Sequence, residues 1–208
     1  RKQALLEAAE RLFHLYGPHK TTIGDIARAA GVGVGTVYLE FPNKDAILLE
    51  LSEAGHRSVL RAIEVAWSSP GPADERLRRS LQARTETFLR LARHGVHGAD
   101  LLHCKGCAPI AKAHRAFRTA EEKLFEAFLT QGVREGVFSI DDPCATARAL
   151  MSAYETFSPP TLFLRNEREL MADLIEATKR MARMLEAVSG RSDEAGCDMV
   201  GVVGGVVR

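Results

Sequence analysis

The sequence predicts an all-α protein with a small N-terminal helical domain and a larger helical body. Three observations lead there. Apolar residues recur at spacings of three and four along most of the chain, as they do on one face of a helix. Glycine and proline gather at a few breaks between those runs, at Gly17-Pro18, Gly31, Pro42 and Ser68 to Pro72. No alternating apolar–polar run of useful length occurs before residue 199. With 208 residues, 46% of them hydrophobic, the chain can bury a real core and is too apolar to be mostly disordered.

The first helix carries Leu5, Ala8, Leu12 and Tyr16 on one face, with Ala9 and Phe13 beside them, and Gly17-Pro18 stops it. Thr22 offers an N-cap oxygen to a second helix, and Asp25 three residues on approaches a capping box. Ile26, Ala29 and Ala30 give that helix its buried side, and Gly31 ends it. A third short helix is expected from about Gly35 to Phe41, closed by Pro42. Asn43 can cap a long fourth helix, with Leu48, Leu51, Gly55, Val59, Ala62 and Ala66 as one stripe and Leu60, Ile63 and Trp67 beside it. After the "SSPGP" break come helices at about 74–93, 109–135, 143–157 and 167–188, joined by "HGVHGAD" and "REGVFSIDDP". The expected division is 1–50, 51–190 and a flexible tail at 191–208.

Composition narrows the function classes. Formal net charge is +1, so no basic field over the whole protein argues for nucleic acid. No run approaches the roughly 18 apolar residues of a membrane span, and the first helix is amphipathic rather than a signal peptide, so a cytoplasmic protein is expected. The four cysteines, Cys104, Cys107, Cys144 and Cys197, are too sparse for a disulfide scaffold. There is no G-x-S-x-G elbow, no H-E-x-x-H and one Glu-x-x-His pair, Glu53 with His56, where a di-iron bundle needs two. An enzyme is not expected, nor a resident metal or cofactor.

"DIARAAGVGVGTVYLEF" is the most informative stretch. A dinucleotide loop would need a third glycine where Thr36 stands, and a strand before it. A helix-turn-helix fits instead. Gly31 can end the first helix of the motif in the left-handed conformation. Ala27, Val32 and Val37 supply small and branched contacts between the two helices. Gly35 lets the start of the second helix approach another surface closely, and a phosphate suits the unsatisfied N–H groups there.

Lys20 to Leu51 resembles the N-terminal DNA-binding domain of tetracycline-repressor-like (TetR) regulators. Their pattern T-[TV]-x-x-I-A-x-x-A-G-V, then G-T-[LV]-Y-x-x-F-x-[NS]-K-x-x-[IL], is met by Thr22, Ile26, Ala27, Ala30, Gly31 and Val32. Gly35, Thr36, Val37, Tyr38, Phe41, Asn43, Lys44, Ile47 and Leu48 complete it. The resemblance implies that the second motif helix enters the DNA major groove. Thr36 and Tyr38 would then meet phosphates through hydroxyls, Lys44 would pair with a phosphate, and Thr22 would touch the backbone. Val34 and Leu39 would face bases, and Gly35 would allow the approach. Val37 and Phe41 are expected to be core. The pattern is departed from at Gly33, Val34 and Glu40, and phosphate would repel the Glu40 carboxylate. Residues 1–50 hold six basic and six acidic side chains, so counterion release should be modest and affinity should lean on a dimer.

The resemblance further implies repression of an operator, a small-molecule effector and a homodimer built on the last helices. Met171, Leu174, Thr178, Met181 and Leu185, with Val188 beyond them, form an a/d stripe suited to the dimer seam. Trp67, Phe88, Phe117, Tyr154 and Phe157 place aromatics in the body, where they line a pocket or simply fill core. His103, His114 and Tyr154 are candidate polar anchors for an apolar or amphipathic ligand, with Cys104 a further ligand-binding candidate. Ser158-Pro159-Pro160 should break the preceding helix. "HGVHGADLLHCKGCAPIAKAH" adds alternatives, since Cys104 and Cys107 have zinc-ligand spacing and could also be a redox pair. Ligation would then draw on His97 or His103 with His114. A helical ligand-binding dimer without a DNA role is the remaining alternative.

Overall fold

A computed structural model describes residues 1–104 and 106–187; the expected tail at 191–208, Val188 and Cys197 lie outside the described residues. Eight α-helices follow one another: α1 (Lys2–Lys20), α2 (Ile23–Ala29), α3 (Val34–Glu40), α4 (Lys44–Trp67), α5 (Ala73–Ala92), α6 (Ala108–Arg134), α7 (Pro143–Ala153) and α8 (Glu167–Ala187). Among the described residues every regular element is helical.

The head is α1 to α3 with the first turns of α4. α1 kinks where Gly17 adopts φ 80°, and Pro18 to Lys20 form one further turn. The Thr21 hydroxyl donates to the Gly17 carbonyl at 3.0 Å and steadies the kink. Leu5, Phe13, Ile26, Val37, Phe41 and Ile47 close the head core. Leu101, Cys107 and Ile110, from beyond the "SSPGP" break, belong to the same core. The connector 93–101 also leans on α1: His97 donates its N–H to the His14 carbonyl at 3.0 Å. Head and body thus share a packed seam as well as the continuous helix α4.

In the body, α4 runs between α5 and α6, α7 packs on α6, and α8 packs on α5. Val59, Ile63, Leu81, Phe88, Phe125 and Leu129 are among its buried residues. A buried ion pair crosses this core. Arg84 Nε donates to Glu121 Oε1 at 2.5 Å, and its other nitrogens reach the Phe157 carbonyl (2.9 Å) and the Ser158 hydroxyl (2.8 Å). A buried guanidinium tolerates this position because its partners are hydrogen-bonded to it directly.

Three expectations are corrected. The buried stripe of α4 is Leu48, Ser52, His56, Val59, Ile63 and Trp67, not the one built on Leu51, Gly55, Ala62 and Ala66. Two of its members are polar, and apolar spacing passes over them. Ala29 is exposed, and Ala27 takes its place beside Ile26. The helix from Pro143 does not reach Phe157; after Ala153 it tightens into a 3-10 turn, Tyr154–Phe157, ahead of the Ser158-Pro159-Pro160 break.

Candidate nucleic-acid interface and body site

α2 and α3 form a helix-turn-helix whose ends are fixed by the residues the sequence supplies. Thr22 caps α2, accepting from the Asp25 N–H at 3.2 Å, while the Asp25 carboxylate accepts from the Thr22 N–H (3.0 Å) and hydroxyl (2.6 Å). The Thr22 bonds, side chain and backbone, hold the Asp25 carboxyl below its usual range, with Arg28 adding to the effect. Gly31 at φ 68° ends α2, and the Val32 N–H donates back to the Ala27 carbonyl at 3.0 Å. Asn43 caps α4, accepting from the Ala46 N–H at 2.9 Å.

α3 is seated on the head by Val37, which is fully buried, and its other faces point outward. Val34 is 45% exposed, Tyr38 54% and Leu39 79%. Val34 and Tyr38 stand one turn apart on one side, Gly35 and Leu39 on the next. A Cβ added at Gly35 would meet nothing within 4 Å, so the packing of this chain does not require a glycine there. Thr36 is half-buried and Glu40 lies at the helix end. An exposed row of this size on a two-turn helix is the geometry of a surface reader.

Two residues expected to face phosphate have duties inside the fold. Lys44 Nζ donates to the carbonyls of Pro18 (2.7 Å) and Thr21 (3.0 Å), tying the start of α4 to the kinked turn of α1. An ammonium has three donors, so one remains for another acceptor. The Thr22 hydroxyl is engaged with Asp25 on both its donor and acceptor sides. The head's charges are also partly paired among themselves, Lys2 with Glu50 at 2.7 Å and Arg28 with Asp25 at 3.3 Å.

The body residues expected around a ligand are mostly closed in by one another. Trp67 stacks on Phe128 (centroids 4.3 Å), donates its indole N–H to Gln131 Oε1 at 2.9 Å and lies under Arg76. Phe88 and Phe117 meet edge to face at 5.5 Å, and Tyr154 packs on Phe157 at 5.3 Å. His114 does sit in this cluster, and so does His56, which the sequence reading left out: their rings are 5.6 Å apart, and His56 is 4.8 Å from Phe117. His56 Nδ1 faces the Ser52 carbonyl at 2.8 Å, so Nδ1 carries the proton and Nε2 is a bare acceptor. His56 Nε2, His114 Nδ1 and the Tyr154 hydroxyl are buried without a well-formed hydrogen bond. Burial, then the His114 charge, push His56 down to about 4. Burial, then Arg118 and His103, lower His114. Burial raises the Tyr154 phenol against the opposing effects of Thr178 and Arg84.

The Cys104/Cys107 region is corrected in its partners. His97 Nδ1 turns to Asp100 at 2.7 Å, and His114 lies in the aromatic cluster. Among the described residues the ring that meets the two thiols, in place of His97, His103 or His114, is His19 of α1, with Nε2 at 3.4 Å from each sulfur. Burial, with Cys107 and Asp100 nearby, pushes the Cys104 thiol up to about 12.

On α8, Leu174 and Thr178 are buried in their own chain's core, while Met171, Met181 and Leu185 are half-buried at its edge. Met181, Met184 and Leu185 line an apolar groove of about 250 Å3 together with Ala149, Leu150 and Ala153 of α7. No helix of the described residues is long and apolar enough to cross a membrane.

These features define a helix-turn-helix DNA-binding protein with an all-helical body. Residues 5–51 match the family model described as bacterial regulatory proteins, tetR family. Residues 5–51 thus carry the DNA-binding domain of that family, and the chain is a DNA-binding transcriptional regulator of the tetR type. It is 24% identical over 186 residues to the HTH-type transcriptional regulator YhgD of Bacillus subtilis, across 85% of this chain and 93% of that one. It is 36% identical over 86 residues to the HTH-type transcriptional repressor LfrR of Mycolicibacterium smegmatis, across 41% of this chain and 44% of that one. The solved structure of the TetR family regulator PfmR of Thermus thermophilus superposes with a TM-score of 0.55 at 25% identity, covering 94% of this chain and 98% of that chain.

Proposed function

We propose that this chain is a cytoplasmic homodimeric repressor that releases its operator when the body binds a small apolar or amphipathic effector. The observation that carries the DNA half is the outward row of α3 beside the open Cα of Gly35. In this reading Thr36, Tyr38 and the remaining donor of Lys44 meet phosphates, and Thr22 holds α2 in register with the backbone. Val34 and Leu39 reach base edges, where thymine methyls offer apolar contact. Residues 1–50 form the DNA-binding domain and 51–190 the effector and dimer domain.

The effector half rests on two buried ring nitrogens, His56 Nε2 and His114 Nδ1, that find no partner within the aromatic cluster, with the Tyr154 hydroxyl, beside Thr178, as a further polar group. Buried polar groups are rarely left unpaired, and a ligand's hydroxyl or amide would satisfy them. Trp67, Phe88, Phe117 and Phe157 would shape the apolar wall, and His103 would lie at its margin. In this reading dimerisation uses the α7–α8 groove, with Met171, Met181 and Leu185 at the seam and Leu174 and Thr178 supporting it from inside; the apolar lining of that groove supports it. The repressor named among the relatives supports the sign of regulation. A gel shift over the DNA flanking the coding region tests the reading. Selective, salt-dependent retention as a two-fold complex is expected; none at low salt would favour a ligand-binding dimer without a DNA role.

A further inference from the structure

The two sulfurs of Cys104 and Cys107 and Nε2 of His19 lie within 4.8 Å of one another, and each sulfur is 3.4 Å from the nitrogen. A tetrahedral zinc ion with Zn–S of about 2.3 Å and Zn–N of about 2.0–2.1 Å has S···N edges of about 3.5 Å. The two S···N edges of such a tetrahedron are therefore already close to their lengths in a zinc site. Backbone next to Cys107 helps to set its position. Gly106 stands at φ 81°, a conformation a side chain would strain, and the Cys107 N–H donates to the Cys104 carbonyl at 3.3 Å. The third ligand comes from 85 and 88 positions away, on a different helix.

We propose that His19, Cys104 and Cys107 bind a thiophilic metal ion, Zn2+ by their ligand chemistry, which ties the DNA-binding head to the N-terminal end of α6. Two thiolates and an imidazole suit Zn2+ and reject Mg2+ or Ca2+. On binding, each thiol loses its proton to solvent as its sulfur–metal bond forms, and neutral His19 gives the lone pair of Nε2. No electron is transferred, and the two thiolates balance the dication. Cys107 is buried, while His19 is exposed, so the fourth position faces solvent and takes a water.

The site's place in the fold gives it a consequence. His19 lies on the turn 17–21, whose Pro18 and Thr21 carbonyls hold Lys44 at the start of α4 and whose end begins α2. An ion at His19 would fix where the helix-turn-helix stands relative to α6. This consequence rests on the DNA-binding reading; metal binding itself does not.

The test uses the full-length reduced apoprotein. Zn2+ is titrated against a competing chromophoric chelator, and Co2+ serves as a spectroscopic probe. One ion per chain is expected, with thiolate-to-cobalt charge-transfer bands. Cys104→Ser, Cys107→Ser and His19→Ala should each weaken Zn2+ binding by about 100-fold or more. Cys144→Ser and the pair His103→Ala/His114→Ala should leave it unchanged. Absent charge-transfer bands in the wild type would overturn the proposal, as would affinity that survives Cys107→Ser or follows His103 and His114. A gel shift with and without Zn2+ then reads the coupling. Failure of all DNA binding there would sink the regulator reading and leave the titration result standing.

Discussion

Replacing His56 by leucine should flatten the loss of stability that acid causes. His56 sits against Phe88, Phe117 and His114 with Nδ1 on the Ser52 carbonyl. Burial first, then the His114 charge, lower its folded pKa to about 4 from 6.5, and the Ser52 carbonyl opposes them. As pH falls through 6.5 the unfolded chain takes up the proton, while the folded chain stays neutral until about 4. In that window the unfolded state binds more protons, so stability falls with pH. At about 1.4 kcal/mol per pH unit the loss approaches about 3 kcal/mol by the acid end. His14 and His114, also lowered by burial, leave the variant a smaller slope of its own. Urea denaturation from about pH 7 to about pH 4.5 measures both proteins. The wild type should lose up to about 3 kcal/mol more across that range than His56→Leu. Parallel losses would refute the reasoning and mean that the folded state admits the charge.

Other outcomes follow from the same contacts. Tyr38→Phe should weaken DNA binding by about 1 kcal/mol, about five-fold, at an unchanged melting temperature, because the exposed hydroxyl serves only an outside acceptor. Equal affinities would mean that it meets no phosphate. Arg84→Met should cost about 3–5 kcal/mol in chemical denaturation by leaving buried Glu121 with only the longer Arg118 contact at 3.7 Å, and Arg84→Met with Glu121→Leu should cost less than the sum of the single changes. Additive losses would deny the pairing. Lys44→Met should destabilise the head by about 1–3 kcal/mol without any DNA present, since it frees the Pro18 and Thr21 carbonyls. A loss confined to DNA affinity would assign Lys44 to phosphate alone.

The head was legible because its signals are local. Thr22 with Asp25, Gly31, Pro42 and Asn43 mark helix ends by chemistry that acts within four residues, and the capping box and the left-handed glycine stand where those residues put them. Long-range pairings were not legible. Nothing near Lys44 announces two carbonyls on the far side of α3, and nothing near His19 announces two thiols 85 and 88 positions on. The α4 stripe was misread for a related reason. Ser52 and His56 face inward because their partners, a carbonyl and an aromatic cluster, are supplied by the fold, and a search for apolar spacing passes over them. The α8 stripe has the right period for a seam, yet Leu174 and Thr178 spend it on their own core, because period alone does not say which neighbour a face meets.

The central claim is that the unadorned backbone at position 35 lies against DNA, and Gly35→Val addresses it most directly. Because no atom of this chain stands within 4 Å of the added Cβ, the variant should fold, with helicity and melting close to wild type. Fluorescence anisotropy of a labelled duplex from the flanking DNA, read beside that melting curve, should show selective binding by the wild type and its loss in the variant. A folded variant that holds the duplex as tightly as the wild type would contradict the account.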